Sequence, residues 1–465
     1  MARQLVALRR AISGTTDRAT QAGFLITYLV ILGALAHRLP LFQHEAQIIG
    51  QALIARDATQ PYSLVAGWVL QLSDALMPET LSGRIPFILS SFLGSALCLR
   101  IAKQMGTGPV VANLGLAWAL SSLLLLAGGA LVGPGPLAML GVSLFLLSVG
   151  RLLSKDTREN WGLVAATGLG VTAVLPEMSA AVLGLIGLPF LVPGCRKWPL
   201  RVEFWILLCT ALLLAVATAR VNGMTLLWPM LNLNAPSGWS SLWVLGLVMP
   251  PVIMACVFGM ARPPRHMSIH PMRAVVFVAG LSLLASFLAS GLKPEVLMAS
   301  LPILTLQAAH AIETRSDKLA AWLGEHCLPV SALAMLGALY LWASASPLLM
   351  HNAPVFREAS GWTAMSLELE ALSRQNNLGW IATDTPGHAA MIRPHLNGRL
   401  PVAVAGVISK IDCRRAGLFV AKAHATKSAP TEFRPIIRMQ DGHARGIYVA
   451  SVIQKPERIG LCPKS

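Results

Sequence analysis

The stretch "GRIPFILSSFLGSALCLRIAK" (83–103) holds a predominantly apolar run over residues 85–102, with Arg84 before it and Lys103 after it. A bilayer core of about 30 Å requires roughly 20 apolar residues in helical conformation. The length and composition of this run therefore predict a membrane-spanning helix. Comparable runs recur along the chain, which places it among the polytopic membrane proteins.

About eleven runs meet the same criterion, which is roughly 17–25 residues for one spanning helix. Only Pro176 and Glu177 separate the fifth run from the sixth, so one broken helix is an alternative there. The first run ends in "ALA" (34–36), which resembles a signal peptidase site, but a retained anchor suits a chain with many further spans better. The predicted spans are 21–37, 85–102, 109–127, 136–151, 160–175, 178–194, 203–219, 239–260, 273–291, 295–312 and 327–349.

Charge and composition support this assignment. Of the 465 residues, 12% are charged, whereas soluble domains carry about 25%. The net charge of +16 could suggest a nucleic-acid partner, but the basic residues form short clusters between the apolar runs. With the N-terminus in the cytoplasm, the predicted inner segments hold 17 Lys and Arg residues, whereas the predicted outer loops between spans hold 5. This positive-inside pattern is typical of membrane proteins, so no nucleic-acid partner is expected.

The last part of the chain has a different character. Residues 351–465 contain 15 of the 37 basic residues and many polar ones. Apolar spacing in 361–375 predicts a helix. With a membrane domain over 1–350, these features predict a small α/β domain that emerges on the outer side. Its predicted strands are 377–384, 400–406, 416–423 and 444–453.

Cysteine spacing gives no indication of a metal site, since no CxxC or His/Cys pattern is present. Cys413 and Cys462 are the two cysteines of the polar C-terminal part. They could form a disulfide if this part is periplasmic, and two unpaired thiols are an equally good interpretation.

Two predicted outer segments are longer than turns. Residues 38–84 contain the stretch "PYSLVAGWVLQLSDAL" (61–76), which has an apolar helical face and could lie along the membrane interface. Residues 220–238 form the second outer segment, where tryptophans favour interfacial anchoring over sugar stacking. The apolar face of the first segment comprises Val65, Trp68, Val69, Leu72 and Leu76, and the second segment is marked by Asn222, Trp228, Asn232, Asn234 and the following Trp239.

Ionisable side chains near membrane depth are costly and therefore indicate candidate sites. Glu45, Glu177, Lys293 and Glu295 meet this description, whereas Arg84 at the start of a span could snorkel to the interface. Pro294 and Glu295, which follow Lys293, are residue types favoured in the first turn of a helix, so a helix start explains them. It does not explain Lys293 equally well. Glu177 has the simpler interpretation of a loop end.

Four stretches in order resemble the family-39 class of bacterial membrane glycosyltransferases. This class has the GT-C fold and is related to protein O-mannosyltransferases and lipid A aminoarabinose transferases. The resemblance extends loosely over nearly the whole chain. It is carried by "HRLPLFQHEAQ" (37–47), "LSGRIPFILSSFLGSALCLRIAKQMG" (81–106), "ATGLGVTAVLPEMSAAVLGLIGLPFLV" (166–192) and the block 357–402 that begins "REASGWTAM".

This resemblance implies a GT-C-like, all-α membrane domain and a polyprenyl-phosphate sugar donor held in the membrane. In the family a carboxylate of the first outer loop acts as general base on the acceptor hydroxyl. The family's Asp position is His44 in this sequence, and the next acidic position is Glu45. Glu45 and His44 are therefore the catalytic candidates, and Lys293 and Arg84 are the candidates for binding the donor phosphate.

The implied function is transfer of a sugar from this donor to an envelope glycan, lipid or protein. Transfer is expected at the periplasmic face of a bacterial inner membrane, with the C-terminal domain in the periplasm. The partners are then membrane lipid, the lipid-linked donor and the acceptor. Glu45 and His44 could also ligate a divalent metal, although adjacent residues rarely complete a site without ligands from elsewhere.

Several departures from the family pattern support a second hypothesis. Besides His44, the stretches "TQPYSL" (59–64), "GPGP" (133–136) and "PEM" (176–178) replace polar family positions. Neutral His is a competent base near pH 7, but several changes together suggest a degenerate homologue that binds lipid-linked sugar or scaffolds an envelope assembly. A transporter is a third hypothesis, which the absence of a visible internal repeat disfavours.

Overall fold

A computed structural model provides the fold. It describes residues 17–38, 43–55, 64–76, 83–221, 250–264, 267, 269–290, 293–315, 318–343, 361–396, 398, 400–408, 411–422, 434–440 and 443–462. The predicted outer segment 220–238 and Trp239 lie almost wholly outside these residues, as do parts of the predicted spans 239–260 and 327–349.

The chain divides into two compact units. One comprises Met1–His37 and Arg84–Leu339, and we name it the helical unit. The other comprises Arg38–Gly83 and Tyr340–Ser465, and we name it the α/β unit. The first-loop segment thus groups with the C-terminal part, whereas the sequence had assigned it to the membrane domain.

The described helices of the helical unit follow the apolar runs of the sequence. They are α1 (Asp17–Arg38), α4 (Ile85–Gln104), α5 (Pro109–Leu120), α6 (Leu123–Ala130), α7 (Pro134–Ser154), α8 (Arg158–Val174), α9 (Ser179–Leu183), α10 (Leu188–Leu191), α11 (Val202–Val221), α12 (Pro250–Ala261), α13 (Pro271–Ala289), α14 (Pro294–Glu313) and α15 (Lys318–Ala343).

Within the described residues, four helices are long and apolar enough to cross a membrane, namely α4, α7, α13 and α14. Two bent helix pairs would raise this number to six if each pair forms one span. One of these pairs joins Pro176–Leu191 to Pro193–Leu200 with a bend of 110°. The predicted membrane-helix architecture is therefore supported, and the count of about eleven spans stays a prediction.

Helix α14 lies at the centre of the helical unit, where every residue from Val296 to Ile312 is buried. Its neighbours approach closely because they present glycine. A Cβ on Gly259 of α12 would lie 2.7 Å from the Ala308 Cα atom, and a Cβ on Gly115 of α5 would lie 3.1 Å from the Leu306 Cα atom. Small residues at helix contacts allow this close packing between apolar helices.

The α/β unit contains a five-stranded sheet in the order β2-β1-β3-β5-β4. Strand β1 is parallel to β2 and β3, whereas β5 is antiparallel to β3 and β4. The predicted helix and the four predicted strands are all present, but the sequence missed β4 and α17. The elements are α16 (Trp362–Gln375), β1 (Ile381–Thr383), α17 (Pro386–Ile392), β2 (Val402–Val404), β3 (Gly417–Lys422), β4 (Arg434–Gln440) and β5 (His443–Ile453).

Cys413 and Cys462 are joined by a disulfide, which decides between the two interpretations left open by the sequence. Cys462 is buried and packs with Trp380 and Ile453 in one of the apolar clusters of the unit. The bond therefore ties the segment before β3 to the C-terminal end of the sheet. The free cysteines of the described chain, Cys98, Cys195, Cys209, Cys256 and Cys327, all belong to the helical unit.

The first-loop segment contributes two helices to the α/β unit. Helix α2 (Gln43–Ile49) continues into a π-helical turn over Gly50–Ala55, and α3 (Leu64–Leu76) follows. The Gln71 side chain donates a hydrogen bond to the Ala52 carbonyl at 3.0 Å, which connects α3 to the π-helical turn. Trp68 and Leu72 of α3 are 59% and 64% exposed, and the interfacial position of this helix stays a prediction.

Candidate functional site

The four candidate residues lie in different units. His44 and Glu45 belong to α2 of the α/β unit, whereas Arg84 and Lys293 belong to the helical unit. Each pair is therefore described within its own unit. The side chain of His44 lies outside the described part of the structure.

Helix α2 positions Glu45 inside the α/β unit. Glu45 is only 1% exposed, and its neighbour Ala46 is fully buried in the main apolar cluster of the unit. A carboxylate is stable in such a position only when polar groups compensate for the lost water. In the described chain, no group of three His, Cys, Asp or Glu side chains is arranged to hold a metal ion.

Lys293 forms an ion pair with Glu177. The Glu177 side chain is 9% exposed and that of Lys293 is 31% exposed, so the pair is partly screened by solvent. The Ser286 hydroxyl donates to the Glu177 carbonyl oxygen at 2.9 Å and connects this turn to α13. The sequence identified both charges separately but gave no indication that they meet.

Arg84 holds the end of a neighbouring helix. Its Nη1 atom donates a hydrogen bond to the Ala36 carbonyl at 2.6 Å, and the side chain is buried. Ala36 lies in the last turn of α1, where carbonyl groups have no partner within the helix. Arg84 therefore stabilises the end of α1, and any contact with a phosphate would add to this role.

A second set of contacts in the helical unit joins helix ends that are far apart in the sequence. The Arg273 Nε atom donates to the Met105 carbonyl at 2.7 Å. Asp156 accepts a hydrogen bond from the Trp161 ring at 2.9 Å and pairs with Arg201 at 3.2 Å. These contacts adjoin two of the basic clusters of the sequence, at 100–103 and 196–201.

The sequence missed a second polar arrangement in the α/β unit. Asp384 follows β1 directly, and its Oδ1 atom lies 2.7 Å from Nδ1 of His388. The other carboxylate oxygen accepts a hydrogen bond from the backbone N–H of Lys422 at 3.4 Å. The His388 ring contacts the rings of Trp362 and Tyr448 at centroid distances of 5.5 and 5.4 Å. The i, i+4 spacing of Asp384 and His388 was the available signal.

A buried arginine completes this aromatic cluster. Arg438 is 3% exposed, and its guanidinium carbon lies 4.5 Å from the ring centroid of Trp362 and 5.7 Å from that of Tyr448. A guanidinium over an aromatic face is attracted by the ring quadrupole. The cluster therefore packs α16, α17 and the β4–β5 hairpin together.

Burial lowers the pKa of His395, which follows α17. The pKa of histidine in an unfolded chain is about 6.5. At pH values between this pKa and the lower pKa of the folded state, the unfolded state binds more protons than the folded state does. The α/β unit should therefore lose stability as the pH falls from 7 to 5. This loss of stability on acidification should be smaller in His395→Gln. Hydrogen exchange of the sheet amides in the full-length protein measures this, and equal losses in both proteins would contradict it.

Comparison with known proteins supports the fold expected from the sequence. No protein-family model matches the chain, and no curated protein matches it. The crystal structure of ArnT from Cupriavidus metallidurans bound to undecaprenyl phosphate matches with a TM-score of 0.56 and 12% identity. The match covers 92% of this chain and 97% of that chain. At this identity the likeness shows the fold, which is GT-C-like, and membership of family 39 stays a prediction.

Proposed function

We propose that this protein is a membrane glycosyltransferase that takes a sugar from a polyprenyl-phosphate donor. The observation that carries this proposal is the fold similarity over almost the full length of both chains to a protein crystallised with undecaprenyl phosphate. The ordered sequence resemblance to the same class supports it independently. Fold alone does not determine chemistry, so the candidate residues must supply the remaining support.

The expected location is the inner membrane of a bacterium, with the N-terminus in the cytoplasm. The concentration of basic residues in the predicted inner segments supports this orientation. The α/β unit is then periplasmic, and its Cys413–Cys462 disulfide fits an oxidising compartment. The acceptor would be a hydroxyl-bearing glycan, lipid or protein of the envelope.

Glu45 would act as general base in this reaction. It would take the proton of the acceptor hydroxyl while that oxygen bonds to the anomeric carbon of the sugar. The bond between this carbon and the phosphate oxygen breaks, and polyprenyl phosphate leaves with the electron pair. The burial of Glu45 favours this role, because a base must be held at a fixed distance from the proton that it takes. His44 lies next to it in α2 and remains the second catalytic candidate.

Lys293 would bind the donor phosphate by exchanging partners. In the structure its ammonium group is paired with Glu177. A phosphate oxygen forms a charge-assisted hydrogen bond of the same kind, so it can replace the carboxylate. Arg84 is a weaker candidate, because it is already bonded to the end of α1.

Replacing Glu177 by Gln should therefore strengthen the binding of undecaprenyl phosphate several-fold, because a competing anion is removed. Lys293→Met should weaken binding by about tenfold, in line with the loss of a hydrogen bond from a charged group. Titration of each protein in nanodiscs with undecaprenyl phosphate measures both effects. Weaker binding by Glu177→Gln in a protein that remains folded would contradict the exchange.

A non-catalytic homologue is the second candidate function. It is favoured by the observation that both candidate cations, Lys293 and Arg84, already have partners within the chain. Binding of undecaprenyl phosphate tests the step that the two functions share. A thermal stabilisation that grows with the lipid phosphate, but not with a polyprenol lacking phosphate, supports both, and its absence would exclude both.

A further inference from the structure

Helix α2 and its π-helical extension pack against the first turn of α17, although the two segments are far apart in the sequence. The Gln47 Oε1 atom accepts a hydrogen bond from the Gly387 N–H at 3.1 Å. Ala46 packs in the same apolar cluster as Ala390 and Met391 of α17. The segment that carries Glu45 is therefore part of the packed interior of the α/β unit, not a free loop.

Glycine makes this close contact possible. A Cβ on Gly50 would lie 2.0 Å from the carbonyl oxygen of Pro386, which is backbone and has no freedom to move aside. A Cβ on Gly387 would lie 2.7 Å from Gln47 Oε1, which belongs to a flexible side chain. The two positions thus differ in what a methyl group would displace: the helix itself at Gly50, and only the hydrogen bond at Gly387.

The turn that receives α2 is itself held in place. The Thr383 hydroxyl donates to the Thr385 carbonyl at 2.8 Å, and Thr385 Oγ1 accepts the His388 N–H at 3.3 Å. The Asp384–His388 pair closes the same turn from the side-chain end. A turn fixed by this many contacts gives α2 a defined surface on which to pack.

We infer that Gln47, Gly50 and Gly387 are positioning residues that set the location of Glu45. This inference rests on the proposed function, because it assigns a role to Glu45. The C-terminal part of the α/β unit is then a required part of the catalytic apparatus, since it supplies the surface that orients the base. A displacement of about 1 Å at a reacting group can cost about a hundredfold in rate.

Three Gly→Ala variants of the full-length protein test the inference. Gly50→Ala should lower kcat by about a hundredfold, and Gly387→Ala should lower it several-fold. Gly67→Ala is the matched control in α3, because its Cβ would meet its nearest neighbour at an ordinary 3.9 Å. Its kcat should stay within about twofold. The KM for the lipid-linked donor should not change in any of them, because the phosphate candidates lie outside the α/β unit.

Hydrogen exchange provides a readout that does not require activity. The amides of α2 should exchange faster in Gly50→Ala than in wild type or Gly67→Ala, while those of β1 and β3 stay protected. Normal kcat in Gly50→Ala, or equal losses of kcat in Gly50→Ala and Gly67→Ala, would overturn the inference. If the wild-type protein transfers no sugar, the proposed function fails, and unchanged exchange of α2 in Gly50→Ala would separately refute the packing role.

Discussion

Replacing Glu45 by Gln should lower the rate of sugar transfer by about 10²- to 10⁴-fold, the contribution typical of a general base. The amide has nearly the same shape as the carboxylate but does not take a proton from the acceptor hydroxyl. Affinity for the donor should change by less than about twofold, because the phosphate candidates belong to the other unit. Steady-state transfer by the full-length protein in nanodiscs measures the rate and the donor KM together.

Glu368→Gln provides the matched control for this variant. Glu368 belongs to α16 of the same unit, but its side chain is exposed. The control makes the same chemical change away from α2 and should leave the rate unchanged. A Glu45→Gln protein that retains full turnover, also when combined with His44→Ala, would remove both residues from the mechanism.

Replacing Gly417 by Ala should destabilise the α/β unit by about 3 kcal/mol or more, the range that severe overpacking of a core reaches. A Cβ at this position would lie 2.0 Å from a ring carbon of Trp380, which is completely buried. The ring is also fixed by a hydrogen bond from its Nε1 atom to the Arg415 carbonyl at 2.9 Å. The ring therefore has little room to shift.

Unfolding of the full-length protein in increasing denaturant, monitored through the hydrogen exchange of the sheet amides, measures this loss of stability. Gly67→Ala serves again as the control, because the added methyl group makes only an ordinary 3.9 Å contact in a helix and should be neutral or slightly stabilising. Unfolding of Gly417→Ala at the wild-type denaturant concentration would show that Trp380 does not pack against β3 as described.

Local patterns predicted much of the fold. Apolar runs bounded by basic residues predicted the membrane helices, and short apolar stretches predicted four of the five strands. Strand β4 was missed because its sequence "RPIIRMQ" contains Pro435 and places Arg438 on the buried side. That arginine is buried because Trp362 and Tyr448 cover it, and Trp362 is far from it in the sequence. Helix α17 was missed because "TPGH" (385–388) reads as a turn.

The candidate site was predictable only residue by residue. The sequence located Glu45 after the first apolar run and Lys293 before the tenth. It gave no indication that α2 packs on a turn about 340 residues later, or that Lys293 pairs with Glu177. Both contacts join residues that are far apart in the sequence, so the spacing of apolar residues in one helix or strand does not predict them. They form when whole helices and turns pack together.

The central claim is that this protein transfers a sugar from polyprenyl phosphate. The most direct measurement follows the release of undecaprenyl phosphate from a panel of undecaprenyl-phosphate pentoses and hexoses labelled in the sugar. The full-length protein is reconstituted in nanodiscs with an envelope extract as the source of acceptors. We predict label in the acceptor fraction together with an equal amount of released lipid phosphate, both lost in Glu45→Gln. Binding of the donors without any release above the protein-free rate would contradict the claim and identify a non-catalytic homologue.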